Sequence, residues 1–293
     1  MNFLALIIGL AVERLLTHLF HLREFHWLDP LFDAVFRRLD RTGRGVAFVV
    51  IAILTLVLIV PVALVELTLA DRLAQIPGFV FAVVVLLFCL GPRDLVEEVD
   101  DYRRAVENND RDEIVALAGE LLERRPSADE TPDIEDAVYA QANNRVFAVV
   151  FWFVVLGAAG AWLFRVIDLL RRRAIRRAGI VQLDDAPVYL RAILAVQGLL
   201  AWVPARLLLV GYTLAGNYDG AMQAWRGYHP ASGKVFPGAD DTLLGAVGRG
   251  SAPERSRGDI NERARIAISL VSRTLWMIWC PILALLTLYD WIV

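Results

Sequence analysis

The sequence predicts an all-α, polytopic membrane protein with broken or re-entrant helices and cytoplasmic helical loops, and three observations predict it. Of its 293 residues, 57% are hydrophobic, against roughly 45–50% in soluble globular chains, and the mean hydropathy is +0.50. The apolar residues lie in blocks parted by charged segments, and Gly45–Val65 runs 21 residues without a charge, enough to cross a bilayer as a helix. Arginines gather beside the blocks, at Arg37, Arg38, Arg41 and Arg44 and again at Arg171, Arg172, Arg173, Arg176 and Arg177, as cytoplasmic loops do. The second cluster also has the chemistry to meet anionic lipid headgroups, although a topology anchor is its simplest role. The chain reads as one integral membrane domain over 1–293, with a helical cytoplasmic insertion near 92–138 and a polar loop near 217–265.

The first block, Asn2–Leu22, is apolar around Glu13 and Arg14. These charges are either an intramembrane ion pair, costly to bury and so a candidate functional site, or the interfacial end of a shorter span. No basic region precedes this block, and Glu13-Arg14 stand where a cleavage site would need small residues, so it is expected to be retained. Arg23–Arg44 is amphipathic and basic, with Trp27, Leu31, Val35 and Leu39 as the apolar stripe of a helix lying in the interface and Asp29-Pro30 as a start signal. Gly45–Val65, kinked at Pro61, and Leu73–Gly91 then form a helical hairpin about Asp71-Arg72.

Pro92–Arg125 reads as two short helices. Leu95, Val99, Tyr102 and Val106 face inward in the first, Ile114, Ala118, Leu121 and Leu122 in the second, and Asn108-Asn109-Asp110 break between them. The charge run Glu97, Glu98, Asp100, Asp101, Arg103 and Arg104 reads as a solvated face. Ile266–Val293 is expected to be the last span, anchored at the interface by Trp276, Trp279, Tyr289 and Trp291.

The central stretch is Tyr139–Leu170. Its 18 uncharged residues, Phe147–Phe164, lie between Asn143, Asn144 and Arg145 on one side and Arg165 and Asp168 on the other. As a helix they reach about 27 Å, near the hydrocarbon thickness. The basic segments 23–44, 91–146, 165–191 and 217–265 all favour one side, yet Phe147–Phe164 and Ala192–Gly216 would each have to cross. Either the arginine loop at 171–177 lies outside or these blocks do not cross simply. Breaks at Gly157 or Gly160 in one and at Pro204 in the other would resolve the conflict. Arg206, beside that proline, is expected to turn toward protein or water.

Catalytic constellations are sparse. Cys89 and Cys280 sit inside apolar blocks and offer no disulfide framework. His18, His21, His26 and His229 lack metal-ligand spacing, so no metal site is expected. Gly245, Gly248 and Gly250 do not make a phosphate loop, because the lysine and the Ser/Thr it needs are missing. Neither a nucleic-acid partner nor a cofactor is indicated.

A succession of motifs carries a resemblance. A-N-N-R-V-F-A-V-V-F-W at Ala142–Trp152, L-G-A-A-G-A and L-F-R within Leu156–Arg165, W-V-P-A-R-L at Trp202–Leu207 and Y-x-L-A-G-x-Y at Tyr212–Tyr218 resemble the AmpE family. Further likeness lies in E-R-L at Glu13–Leu15, W-x-D at Trp27–Asp29 and F-R-R at Phe36–Arg38. The resemblance implies a multi-pass protein of the bacterial inner membrane, with the lipid bilayer as its surroundings. It also implies modulation of β-lactamase induction and peptidoglycan-recycling signalling, and a functional link to an AmpD-type amidase. The AmpE family is in turn similar to the CobD/CbiB synthases of cobalamin biosynthesis, whose acidic motif E-S-x-A-E-N-x-x-D is here replaced by Gln141, Asn143 and Asn144. Exchanging carboxylates for amides weakens a Mg²⁺–phosphate site.

The favoured expectation is a non-enzymatic module that binds an anionic small molecule in a polar pocket at the membrane surface. Glu13, Arg14, Asn143, Asn144, Arg145, Arg165, Asp168 and Arg206 would line it, with the arginines making bidentate contacts. The alternative is a membrane enzyme with CobD/CbiB-like ATP-dependent amide-forming or transferase activity, which calls for carboxylates such as Glu13, Asp94 and Asp168 to converge.

Overall fold

The computed structural model describes residues 28–39, 42–70, 75–90, 94–123, 126, 132–178, 187–228, 239–253 and 259–282. The first block, with Glu13, Arg14, His18 and His21, lies outside the described residues. The described regular structure is helical: α1 (Asp29–Leu39), α2 (Arg44–Ala70), α3 (Gln75–Cys89), α4 (Leu95–Asn108), α5 (Arg111–Leu122), α6 (Glu135–Ala142), α7 (Ala148–Ala178), α8 (Val188–Ala215), α9 (Tyr218–Gly227), α10 (Ala239–Ser251) and α11 (Ile260–Arg273). Two π-helical stretches, Asn143–Phe147 and Thr274–Trp279, follow α6 and α11 directly. The chain forms two compact units, one of Met1–Pro92 with Ala148–Leu200, the other of Arg93–Phe147 with Ala201–Val293.

Three of the described helices are long and apolar enough to cross a membrane: Gly45–Leu69, Glu135–Ala178 and Val188–Ala215. In the first unit, α2 exposes Val46, Val49, Ile53, Leu56, Val60, Leu64 and Leu67 at helical spacing, an apolar face fit for lipid. Its opposite face buries Ala47, Ile51 and Leu54 with Leu170 and Ala174 of α7. Helix α3 packs on both, but it has 15 residues, or roughly 22 Å. Of the returning arm expected over Leu73–Gly91, residues 73, 74 and 91 lie outside the described residues.

Helix α1 forms where expected, and the face it packs inward is not the four-residue stripe read for a helix lying in the interface. Phe32, Phe36 and Leu39 are buried, whereas Leu31 is 41% exposed. The larger rings take the core side because Phe36 stacks on Tyr189 at 5.2 Å.

Helix α7 is broken at Gly157, where φ is 70° and ψ is −155°. That region of backbone space is essentially reserved for glycine. The break divides the candidate span Glu135–Ala178 within its apolar part. Pro204 does the opposite of what was expected, because α8 continues through it. A proline inside a helix strips the carbonyl four residues earlier of its donor. Here that carbonyl belongs to Leu200, and the Trp152 indole N–H donates to it at 3.0 Å. The Trp162 indole N–H likewise donates to a carbonyl of α2, that of Leu58, at 2.9 Å. Trp152→Phe keeps the ring but removes the donor. We expect a loss of about 1 kcal/mol, read as a drop of about 2–4 °C in the melting temperature of the purified protein.

In the second unit, α4 starts on Asp94, whose side chain accepts from the Val96 N–H at 3.0 Å. Asn109 ends it in the left-handed conformation, φ 56°, and Asp110 caps α5 through the Glu113 N–H. The three polar residues at 108–110 thus break the helix as expected, by short side chains that compete for backbone groups. The described residues of the segment 217–265, expected as a loop, are mostly helical. Asn217 and Asp259 cap α9 and α11, and Gly220, Gly245, Gly248 and Gly250 are contact points between helices. A Cβ on Gly248 would stand 2.5 Å from the Tyr139 ring, and one on Gly220 would stand 2.2 Å from the Gly250 carbonyl oxygen. The core of this unit gathers Tyr102, Tyr139 and Tyr212 with Val99, Leu208 and Val247. Of the expected last span, 283–293 lie outside the described residues, and the part before them is α11 with its π-helical extension.

Candidate functional site

The amide-bearing motif sits where the helix loosens. After α6 the backbone goes π-helical over Asn143–Phe147, which widens the turn and re-aims side chains, as often happens at functional sites. All of Asn143, Asn144 and Arg145 are at least 95% buried. Arg145 donates through Nε to Gln141 Oε1 at 2.9 Å and through Nη1 to Glu98 at 2.5 Å. Gln141 in turn donates to Glu123 Oε1 at 3.0 Å and to the Leu121 carbonyl at 3.1 Å. Asn143 donates to Asn144 Oδ1 at 3.5 Å, and Asn144 donates to Asp241 at 3.4 Å. A chain of polar groups therefore links α4, the end of α5, the π stretch and α10 inside one unit. Three carboxylates stand along it, beside the three amides.

Glu98 is a correction to the reading of its charge run. Its neighbours Glu97 and Arg104 are exposed as a solvated face should be, but Glu98 is 5% exposed and paired with Arg145. A buried pair of this kind holds only because each charge is matched and hydrogen-bonded.

The first unit holds a second polar centre. Asp168 has no exposed surface, and three arginines of its own helix surround it. Arg171 Nη2 donates to Oδ1 at 2.9 Å, Arg172 Nε to Oδ2 at 2.8 Å and Arg165 Nη1 to Oδ2 at 3.4 Å. Helical spacings of three and four residues put all of them on one face. Nearer the break, Glu66 Oε1 accepts from the Ala158 N–H at 2.9 Å and Oε2 from the Ala159 N–H at 3.0 Å. A helix that starts at 158 has no internal acceptors for its first amides. Glu66 supplies them, and its negative charge also suits the positive end of the helix dipole.

The predicted site residues divide between the units. Arg165 and Asp168 are together in the first. Asn143, Asn144 and Arg145 are together in the second, which also holds Arg206. The Arg206 guanidinium lies 5.6 Å from the centre of the Trp202 ring. Glu13 and Arg14 are outside the described residues. Asp94, named for a carboxylate cluster, caps α4 instead. Among the described residues no group of three His, Cys, Asp or Glu stands ready to hold a metal ion.

Glu66 and Asp241 escaped the sequence reading, and Glu98 and Gln141, though named in it, were not placed at the site. Glu66 carried a signal, as the single charge between Gly45 and Ala70, and so did Gln141, four residues before Arg145. Glu98 and Asp241 carried none, because tertiary contacts alone bring them in.

The family model described as regulatory signalling modulator protein AmpE matches residues 1–293. The chain belongs to the AmpE family. It is 27% identical to the Protein AmpE of Shigella flexneri over 292 residues, 93% of this chain and 94% of that one. It is also 29% identical over 221 residues to the cobalamin biosynthesis protein CobD of Stutzerimonas stutzeri, covering 64% of this chain and 69% of that protein. The CobD of Chromobacterium violaceum is 25% identical over 245 residues, 71% of this chain and 72% of its own. No solved structure matches significantly. AmpE membership and the three candidate spans make this a membrane protein. Within the AmpE chain, Gln141 and Asn144 donate to the part-buried Glu123 and Asp241, and Gln141 also accepts from Arg145, the partner of the buried Glu98.

Proposed function

We propose that this AmpE-family protein is a multi-pass protein of the bacterial inner membrane that modulates β-lactamase induction and peptidoglycan-recycling signalling by binding an anionic small molecule. Asn143, Asn144, Arg145 and Arg206 of the second unit carry recognition, Arg165 and Asp168 form a separate polar centre in the first, and a functional link to an AmpD-type amidase follows. The observation that carries the reading is the density of buried arginine and amide groups beside apolar helices. Such groups are costly at membrane depth and are kept there for a ligand or a structural partner. Arg145 and Asp168 already have partners within the chain, so a ligand would enter by exchanging with them.

Arg206→Ala tests this. The expected result is normal insertion and protein level with an altered β-lactam response in cells. An unaltered response at normal level contradicts the role of Arg206.

A second reading, a membrane enzyme with CobD-like ATP-dependent amide-forming or transferase activity, draws on the CobD relatives. It also draws on Glu98, Glu123 and Asp241 standing beside Arg145, Gln141 and Asn144. ATP turnover by the purified protein, lost in Asp241→Asn, would favour it over binding alone.

A further inference from the structure

Helix α1 has an outward face unlike that of a helix turned to bulk water. Its exposed residues are Pro30, Leu31, Ala34, Arg37 and Arg38. The face is apolar in its first half and cationic in its last turn, with no acid and no neutral polar group. A water-facing side would be polar throughout, whereas an interfacial helix joins an apolar edge to basic residues.

The acids of α1 are engaged inward. Arg173 of α7 donates to both oxygens of Asp33, at 3.2 and 2.6 Å, and lies 3.4 Å from Asp29. That contact holds the Asp33 carboxyl below its usual range. The same contacts lock the frame. Arg177 sits 5.8 Å from the centre of the Phe36 ring and donates to the Asp33 backbone carbonyl at 3.3 Å. Phe36 stacks on Tyr189 in the first turn of α8. Arg176 and Arg177 at the end of α7 and Arg191 at the start of α8 are exposed beside it. Helices α2 and α8 begin next to this frame, at Arg44 and Val188, and α7 ends there at Ala178. All three lie among the candidate spans, so the exposed guanidiniums stand at headgroup level.

We propose that this collar binds acidic phospholipids, with lipid phosphates against Arg37, Arg38 and Arg176 and with Pro30 and Leu31 at the acyl border. Charge complementarity carries the choice of occupant. The arginine fork suits phosphate oxygens, and the apolar half of the same face suits lipid better than an acidic soluble protein.

The test uses the full chain purified in neutral detergent and offered phosphatidylglycerol or phosphatidylcholine, with retained lipid counted by native mass spectrometry. The expected result is preferential retention of phosphatidylglycerol, weakened at least about tenfold in Arg37→Gln/Arg38→Gln/Arg176→Gln. Phosphatidylcholine retention should not change, and Arg226→Gln in the other unit should behave as wild type. Arg176→Gln alone should give a smaller loss in the same direction, which keeps the test open if the triple variant folds poorly. Equal retention of the two lipids by wild type overturns the proposal. So does undiminished phosphatidylglycerol binding in variants whose membrane orientation has flipped, which would leave the arginines as topology anchors only. Displacement of phosphatidylglycerol by inorganic phosphate would also overturn it, as a small-ion site.

Discussion

Gly157→Ala should be among the most damaging single substitutions in the chain. At φ 70° and ψ −155° a side chain strains the backbone by about 1–3 kcal/mol. The added Cβ would also stand 2.2 Å from Glu66 Oε1, so the carboxylate must leave the amides of Ala158 and Ala159. Each of those charge-assisted bonds contributes about 1.5–3 kcal/mol. The sum, about 4–9 kcal/mol, rivals the stability of a typical domain. Glu66→Ala removes the two bonds without the strain and should cost less. The double variant Glu66→Ala/Gly157→Ala should cost clearly less than the sum of the single losses, since both act on one joint. Unfolding of the purified protein in mixed detergent, compared across the four proteins, checks this. A Gly157→Ala protein as stable as wild type would mean that the helix is not broken there.

Arg145→Ala should cost about 3–5 kcal/mol by leaving Glu98 buried without its counter-charge, and Glu98→Ala should cost the same for the converse reason. The pair is 2.5 Å apart with both side chains 6% exposed, so water cannot rescue either partner. Glu98→Leu/Arg145→Met removes both charges together and should recover most of the loss. A residual deficit of about 1 kcal/mol should remain, because Gln141 Oε1 loses the donor it has in Arg145 Nε. The melting temperatures of the three variants decide the matter. Single variants within about 1 kcal/mol of wild type would show an exposed pair, whose contribution is small.

Local chemistry explains what was legible in the sequence. Asn109 and Asp110 break α4 from α5 because their side chains act within a few residues, and Gly157 breaks α7 because only glycine accepts that backbone. The helix through Pro204 was not legible. Whether a proline breaks a helix depends on who satisfies the freed carbonyl, and Trp152 comes from 48 residues away in sequence. The apolar stripe of α1 did not say which face packs inward, because a stripe of every fourth residue fits two adjacent faces, and the partner ring Tyr189 chooses between them. The segment 217–265 looked like a loop for its glycines, which instead let α9 and α10 approach closely. At the candidate site, the buried amides and arginines were legible as polar groups inside apolar blocks. Their partners Glu98 and Asp241 were not, since a carboxylate in a charged run looks the same whether it is solvated or paired.

The broken helix seated on Glu66 is best tested by solid-state NMR of the full chain in bilayers, with ¹³C-labelled glutamate and ¹⁵N-labelled alanine. A through-space correlation should join the Glu66 carboxyl carbon to the amides of Ala158 and Ala159 and vanish in Glu66→Ala. No such correlation, with helical backbone shifts running unbroken through Gly157, would contradict it.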